Sequence, residues 1–147
     1  MTTRTVGATK RIDLSFTSRS SAGTTAGTAV TDLGGYRSMT IYAALQGATG
    51  GTLDIYLQVS PDGGTTWVDY AHFAQLAGGA AAIYRVWTVS RSAQQTSIAT
   101  VGTGTSPALT ANSVVGGEWT DQMRVVHVAG AGTSSGAVQT IKLFLSA

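Results

Sequence analysis

The stretch LDIYLQVSPDGGTTWVDYAHFAQ, Leu53 to Gln75, decides the fold. Leu53, Ile55, Leu57 and Val59 recur at every second position with Asp54, Tyr56 and Gln58 between them, the period of a strand with one buried face. The octapeptide SPDGGTTW, Ser60 to Trp67, then supplies turn chemistry. Trp67 to Gln75 returns as an antiparallel partner, with Val68, Tyr70 and His72 expected on one face and Trp67, Asp69, Ala71 and Phe73 on the other. The stretch therefore predicts a β-hairpin.

The same period recurs on both sides of it. Ile12, Leu14 and Phe16 alternate with Arg11, Asp13 and Ser15; Met39, Ile41, Ala43 and Leu45 form a second row. Further strands are predicted over Ala81 to Val89, from Met123 through MRVVHVA, and over Val138 to Leu145. Fainter ones fall near Ala29 and Ile98. Between Arg91 and Glu118 the pattern lapses into a long loop with one short strand, and no 3.6-residue stripe of helical length is present. Eight or nine strands at these spacings define an all-β, antiparallel sandwich or barrel.

Composition sets the scale. A chain of 147 residues with 43% hydrophobic content is one domain able to fill one core. Charged residues make up only 11%, well under the usual quarter or so, so the surface is predicted to be weakly polar and suited to packing against other protein. There is no cysteine, which excludes disulfides, zinc-thiolate sites and thiol catalysis. No apolar run nears the length of a membrane span and the first residues lack a signal-peptide core, so no membrane association is expected.

The net charge of +2 is unevenly placed: Arg4, Lys10, Arg11 and Arg19 against Asp13 give the first 19 residues +3. Residues 1–10 are predicted to be an extended basic arm preceding a sandwich over 11–147. No aromatic side chains interleave these charges for base stacking. The arm thus points to an acidic protein surface, not to nucleic acid.

SPDGGTTW also satisfies the Ser-x-Asp-x-Gly-x-Thr-Trp pattern, and in this it resembles the Asp-box of sialidase-type propellers. The pattern occurs once, and no 40- to 50-residue repeat accompanies it, whereas a propeller requires several blades. Each of its positions has a mechanical use. Pro61 presets the turn entry, Asp62 accepts backbone N–H groups ahead of it, Gly63 and Gly64 permit positive φ, Ser60 and Thr66 close side-chain bonds, and Trp67 packs beneath. These residues are assigned a structural role.

Catalytic candidates are few. His72 and His127 stand in strands without converging partners. Asp62 and Asp69 flank the hairpin, but nothing in the sequence marks a cleft around them for paired-carboxylate chemistry. No nucleophile elbow or phosphate loop occurs. Neither an enzymatic role nor a cofactor or metal is predicted. Tyr36, Tyr42, Tyr56, Tyr84 and Trp87 supply aromatics outside the clear core rows, and Tyr84, Arg85 and Trp87 have the composition of an interface anchor.

Two runs, GGTLDIYLQVSPDGGTTWVDYAHFAQLAGGAAA and DQMRVVHVAGAGTSSGAVQTIKLFLSA, resemble small structural proteins of tailed-bacteriophage heads, the capsid cement or decoration proteins with a jelly-roll β-sandwich. The similarity covers roughly residues 50 to 147. It implies a non-enzymatic virion subunit, made in the host cytoplasm, that binds the major capsid protein on the capsid exterior as a homo-dimer or homo-trimer. Partner contacts are expected at Arg4, Lys10, Arg11, Tyr84, Arg85 and Trp87. A carbohydrate-binding or receptor-binding sandwich of a phage tail or fibre is the alternative.

Overall fold

The computed structural model describes residues 9–14, 16–17, 23–46, 51–73, 75–77, 83–92, 101–130 and 138–147. Eleven strands occur among them: β1 (Thr9–Asp13), β2 (Phe16–Thr17), β3 (Gly23–Ala26), β4 (Ser38–Gln46), β5 (Thr52–Ser60), β6 (Val68–His72), β7 (Leu76–Ala77), β8 (Ile83–Ser90), β9 (Ser113–Val114), β10 (Gln122–Ala129) and β11 (Val138–Ser146). They form two antiparallel sheets. Sheet one has the order β1-β11-β4-β8 with β2 also on β11, and sheet two has β3-β10-β5-β6-β9 with β7 also on β5.

Leaving out the three two-residue strands β2, β7 and β9, the eight remaining strands pair from the outside inward along the chain. β1 pairs with β11, β3 with β10, β4 with β8 and β5 with β6. The chain is thus doubled at SPDGGTTW and the doubled ribbon rolled into two layers, which is the jelly-roll arrangement of two Greek keys. The expected all-β sandwich is present.

Alternation explains the core. Met39, Ile41 and Ala43 of β4 and Ile141, Leu143 and Leu145 of β11 meet Leu53, Ile55, Leu57 and Val59 of β5 and Met123, Val125 and Ala129 of β10 in one cluster between the sheets. Val, Ile and Leu on pleated backbone pack with few voids, and their removal from water is the main stabilising term.

Four local readings change. The expected first strand is divided: β1 ends at Asp13, and Phe16 starts β2, both paired to β11. Thr9 and Lys10, expected in the arm, belong to β1, and residues 1–8 lie outside the described residues. In β6 the register passes from Gln58–Asp69 directly to Leu57–Ala71, so Tyr70 is an extra, bulged residue. The bulge lets Tyr70, Ala71 and Phe73 all enter the core and turns Asp69 and His72 to the same outer face, correcting the two expected rows. The strand expected near Ala29 is β3, ending at Ala26, followed by a single bridge of Val30 to Met123; that near Ile98 lies outside the described residues.

Leu57 is fully buried at the centre of this cluster. Leu57→Ala is expected to lower the unfolding free energy by about 2 to 5 kcal/mol in urea titrations followed by tryptophan fluorescence.

Candidate functional site

The SPDGGTTW turn closes on itself. Asp62 Oδ1 accepts the Thr66 N–H at 2.6 Å and the Ser60 hydroxyl at 3.1 Å, while the Ser60 Oγ accepts the Gly64 N–H at 2.6 Å. Gly63 and Gly64 take φ of 71° and 101°, conformations that favour glycine. The Trp67 indole N–H donates to the Gly64 carbonyl at 3.0 Å and the ring lies under the Arg124 guanidinium, 4.4 Å from its centroid. Hydrogen bonds from Thr66 hold the Asp62 carboxyl below its ordinary value. Ser60, Asp62, Gly63, Gly64 and Trp67 serve the turn itself.

The outer face of sheet two is covered by a strap, residues 101–109, clamped by a buried polar network. Asp69 is 2% exposed. Its Oδ2 accepts the backbone N–H groups of Gly102, Ala108 and Leu109 at 2.9, 2.8 and 3.1 Å, and its Oδ1 accepts the Gln58 amide at 3.0 Å. Gln58 also donates to the Gly104 carbonyl at 2.9 Å and accepts from the Arg124 Nε at 3.1 Å. A Cβ on Gly102 would collide with the backbone of Ser106, Pro107 and Ala108, so the strap's close fold requires glycine there.

A second clamp stands beside the first. His72 Nδ1 lies 2.6 Å from the Leu109 carbonyl and Nε2 3.1 Å from Asp54 Oδ1, while the Tyr56 ring stacks on the imidazole at 3.9 Å. Burial, then the charges of Asp54 and Asp69, push the Tyr56 phenol up to about 12. Tyr56, Leu109 and Val126 form a small apolar layer beneath the strap. These polar side chains thus hold a loop, and Asp62 and Asp69 are engaged in separate structures, not in one cleft. Sequence reading missed this network because the strap residues lie some 33 to 40 positions from Asp69.

Sheet one differs. Its outer face presents Arg11 of β1, Lys142 and Phe144 of β11, Thr40, Tyr42 and Ala44 of β4, and Tyr84, Val86 and Thr88 of β8, in register across four strands. Tyr84, Val86 and Phe144 are 63%, 59% and 46% exposed. Among the described residues no element covers this face.

The expected partner residues divide between sites. Arg11 and Tyr84 are on the bare face. Lys10 points inward along β1, its Nζ 3.4 Å from the Thr31 carbonyl. Arg85 and Trp87 alternate to the other side of β8, where with Asn112 and Val114 they line a hollow of about 330 Å³. Trp87 packs on Phe73 with centroids 5.0 Å apart, and Arg85 Nη1 donates to the Tyr84 carbonyl at 3.2 Å. Arg4 lies outside the described residues.

Among the described residues no group of three metal-ligating side chains converges, and no helix is long and apolar enough to cross a membrane.

Asp69→Ala leaves three strap N–H groups without their acceptor, and a loss of about 3 kcal/mol or more is expected by urea denaturation, with faster hydrogen exchange at Gly102, Ala108 and Leu109. Asp62→Asn is expected to lower the melting temperature by about 2 to 5 °C near neutral pH. Because folding depresses the Asp62 carboxyl, its contribution is complete above the unfolded value near 3.8 and lost as pH falls through the lower folded one. The gap between wild type and Asp62→Asn should therefore be constant from pH 7 to about 5 and shrink below about 4, as melting curves across that range would show.

No family model matches the chain, and neither a curated protein nor a solved structure matches it.

Proposed function

We propose that the chain is a non-enzymatic structural subunit of a tailed-phage head, seated on the capsid exterior and bridging neighbouring copies of the major capsid protein. The observation that carries this reading is the contrast between the two outer faces. One is sealed by a clamped strap. The other offers Tyr42, Tyr84, Val86 and Phe144 among threonines, with the charges Arg11, Asp13 and Lys142 toward its β1–β11 side. Clusters of exposed aromatic and β-branched side chains with a thin polar rim have the make-up of interface cores.

Two further points support it. The resemblance of residues 50 to 147 to cement proteins implies the same jelly roll, an architecture also used by viral capsid and lectin domains. Weak contacts repeated over a symmetric shell add up to firm attachment without any deep pocket. Arg11 lies opposite Phe144 in the sheet register, so it sets a positive charge at the border of the apolar patch. A carbohydrate- or receptor-binding role is favoured by one observation only, the hollow beside Trp87, Arg85 and Asn112, where an indole and polar side chains flank a small cavity.

Purified protein added to capsids that lack it is expected to bind saturably and to raise the temperature at which the shells open. Phe144→Glu and Tyr84→Glu should weaken that binding at least about tenfold while the circular dichroism spectrum of the free protein stays unchanged, since both side chains are outside the core. Attachment that is unaltered by both changes would overturn the proposal, and selective glycan binding lost in Trp87→Ala would favour the second reading.

A further inference from the structure

The sheet register shows which backbone groups of β8 are used. The Arg91 N–H donates to the Arg37 carbonyl at 3.0 Å, and these two residues stand one step beyond the pair Ser38–Ser90. Arg37–Arg91 is thus a hydrogen-bonded pair, and at intervals of two so are Met39–Val89, Ile41–Trp87 and Ala43–Arg85. Tyr84, Val86, Thr88 and Ser90 then turn their N–H and C=O groups away from β4. Among the described residues no strand pairs with that side of β8.

The other edges differ in length and protection. β1 has five residues and carries Lys10, Arg11 and Asp13; β3 has four and opens with Gly23; β9 has two. β8 has eight residues, IYRVWTVS, with no proline and Arg85 as its one charge. A long, apolar, unprotected edge is a template for strand addition.

We propose that β8 pairs antiparallel with β8 of a second copy about a two-fold axis at Val86, joining the two copies of sheet one into a continuous sheet. The strand is self-complementary in this register. On the outer face Val86 meets Val86 and Tyr84 meets Thr88 of the second copy, pairings that favour sheets. On the inner face Arg85 stands opposite Trp87 of the second copy, so each guanidinium faces an indole ring and no cation opposes a cation. The hollow lined by Arg85, Trp87, Asn112 and Val114 lies between the edge strands β8 and β9, on the side the second copy approaches. The buried Trp87 indole N–H there has no hydrogen-bond partner among the described residues. Such an interface is isologous and closes at two copies. It rests on the edge geometry and does not depend on attachment to a shell.

Light scattering of the full chain at micromolar concentration is expected to give twice the chain mass. The chain contains no cysteine, so single-cysteine variants report one contact each. Val86→Cys should oxidise to a disulfide-linked dimer, whereas Thr88→Cys alone should stay unlinked yet couple to Tyr84→Cys when the two are mixed. Val86→Pro should halve the mass while keeping the circular dichroism spectrum, because the Val86 N–H does not serve β4. A monomeric wild type, or a dimer in which Val86→Cys does not link, overturns the proposal; the linking result stands even where the proline variant fails to fold.

Discussion

The structure depends on the pairing of β5 with β6 across SPDGGTTW. All the other principal pairings are nested outside that one, so the place at which the chain doubles back determines which strands can become neighbours. The turn has no freedom to drift by a residue. A one-residue slip would send Leu53, Ile55, Leu57 and Val59 to the outer face and bring Gln58 into the apolar interior. Asp62, two glycines in positive φ and the Trp67 indole bond together hold the bend in place.

The hairpin, both sheets' inward rows and the role of the turn were legible in the sequence because each rests on neighbours within a few residues. Alternation in β4, β5, β10 and β11 marks burial directly. The bulge at Tyr70 was not legible. Tyr70 and Ala71 are both compatible with a core, so an added residue leaves no break in the pattern. Nor was the use of Asp69, whose partners are remote along the chain and are backbone groups, which carry no sequence signal. Asp54 and Gln58 read as the outward row of their strand, while Asp69 and His72 were expected on opposite faces of the next, yet Gln58, Asp69 and His72 all bond to the loop laid over sheet two and Asp54 bonds to His72.

For the same reason the sequence could not distinguish the two outer faces. Both alternate, and both carry tyrosine. Among the described residues only the position of the strap separates them, leaving sheet two sealed and sheet one open. Tyr56, stacked on His72 under the strap, and Tyr84, standing free on β8, occupy similar sequence settings and opposite physical ones. Arg85 and Trp87, adjacent to Tyr84 in the chain, face the other way and meet the hollow instead. An anchor read as one cluster is thus split across a sheet.

Nested pairing also bears on how the molecule assembles itself. Thr9 lies beside Ser146, a contact spanning nearly the whole chain, and closing so long a loop in one step carries a large entropic cost. With β5 and β6 joined, β4 and β8 are separated by only the hairpin and its flanks, and of the later pairs β3–β10 alone has a long gap to bridge, the stretch between Ser90 and Gln122. Loop-closure entropy therefore favours zippering from the bend toward the ends, giving a fold of distant contacts a sequence of local steps.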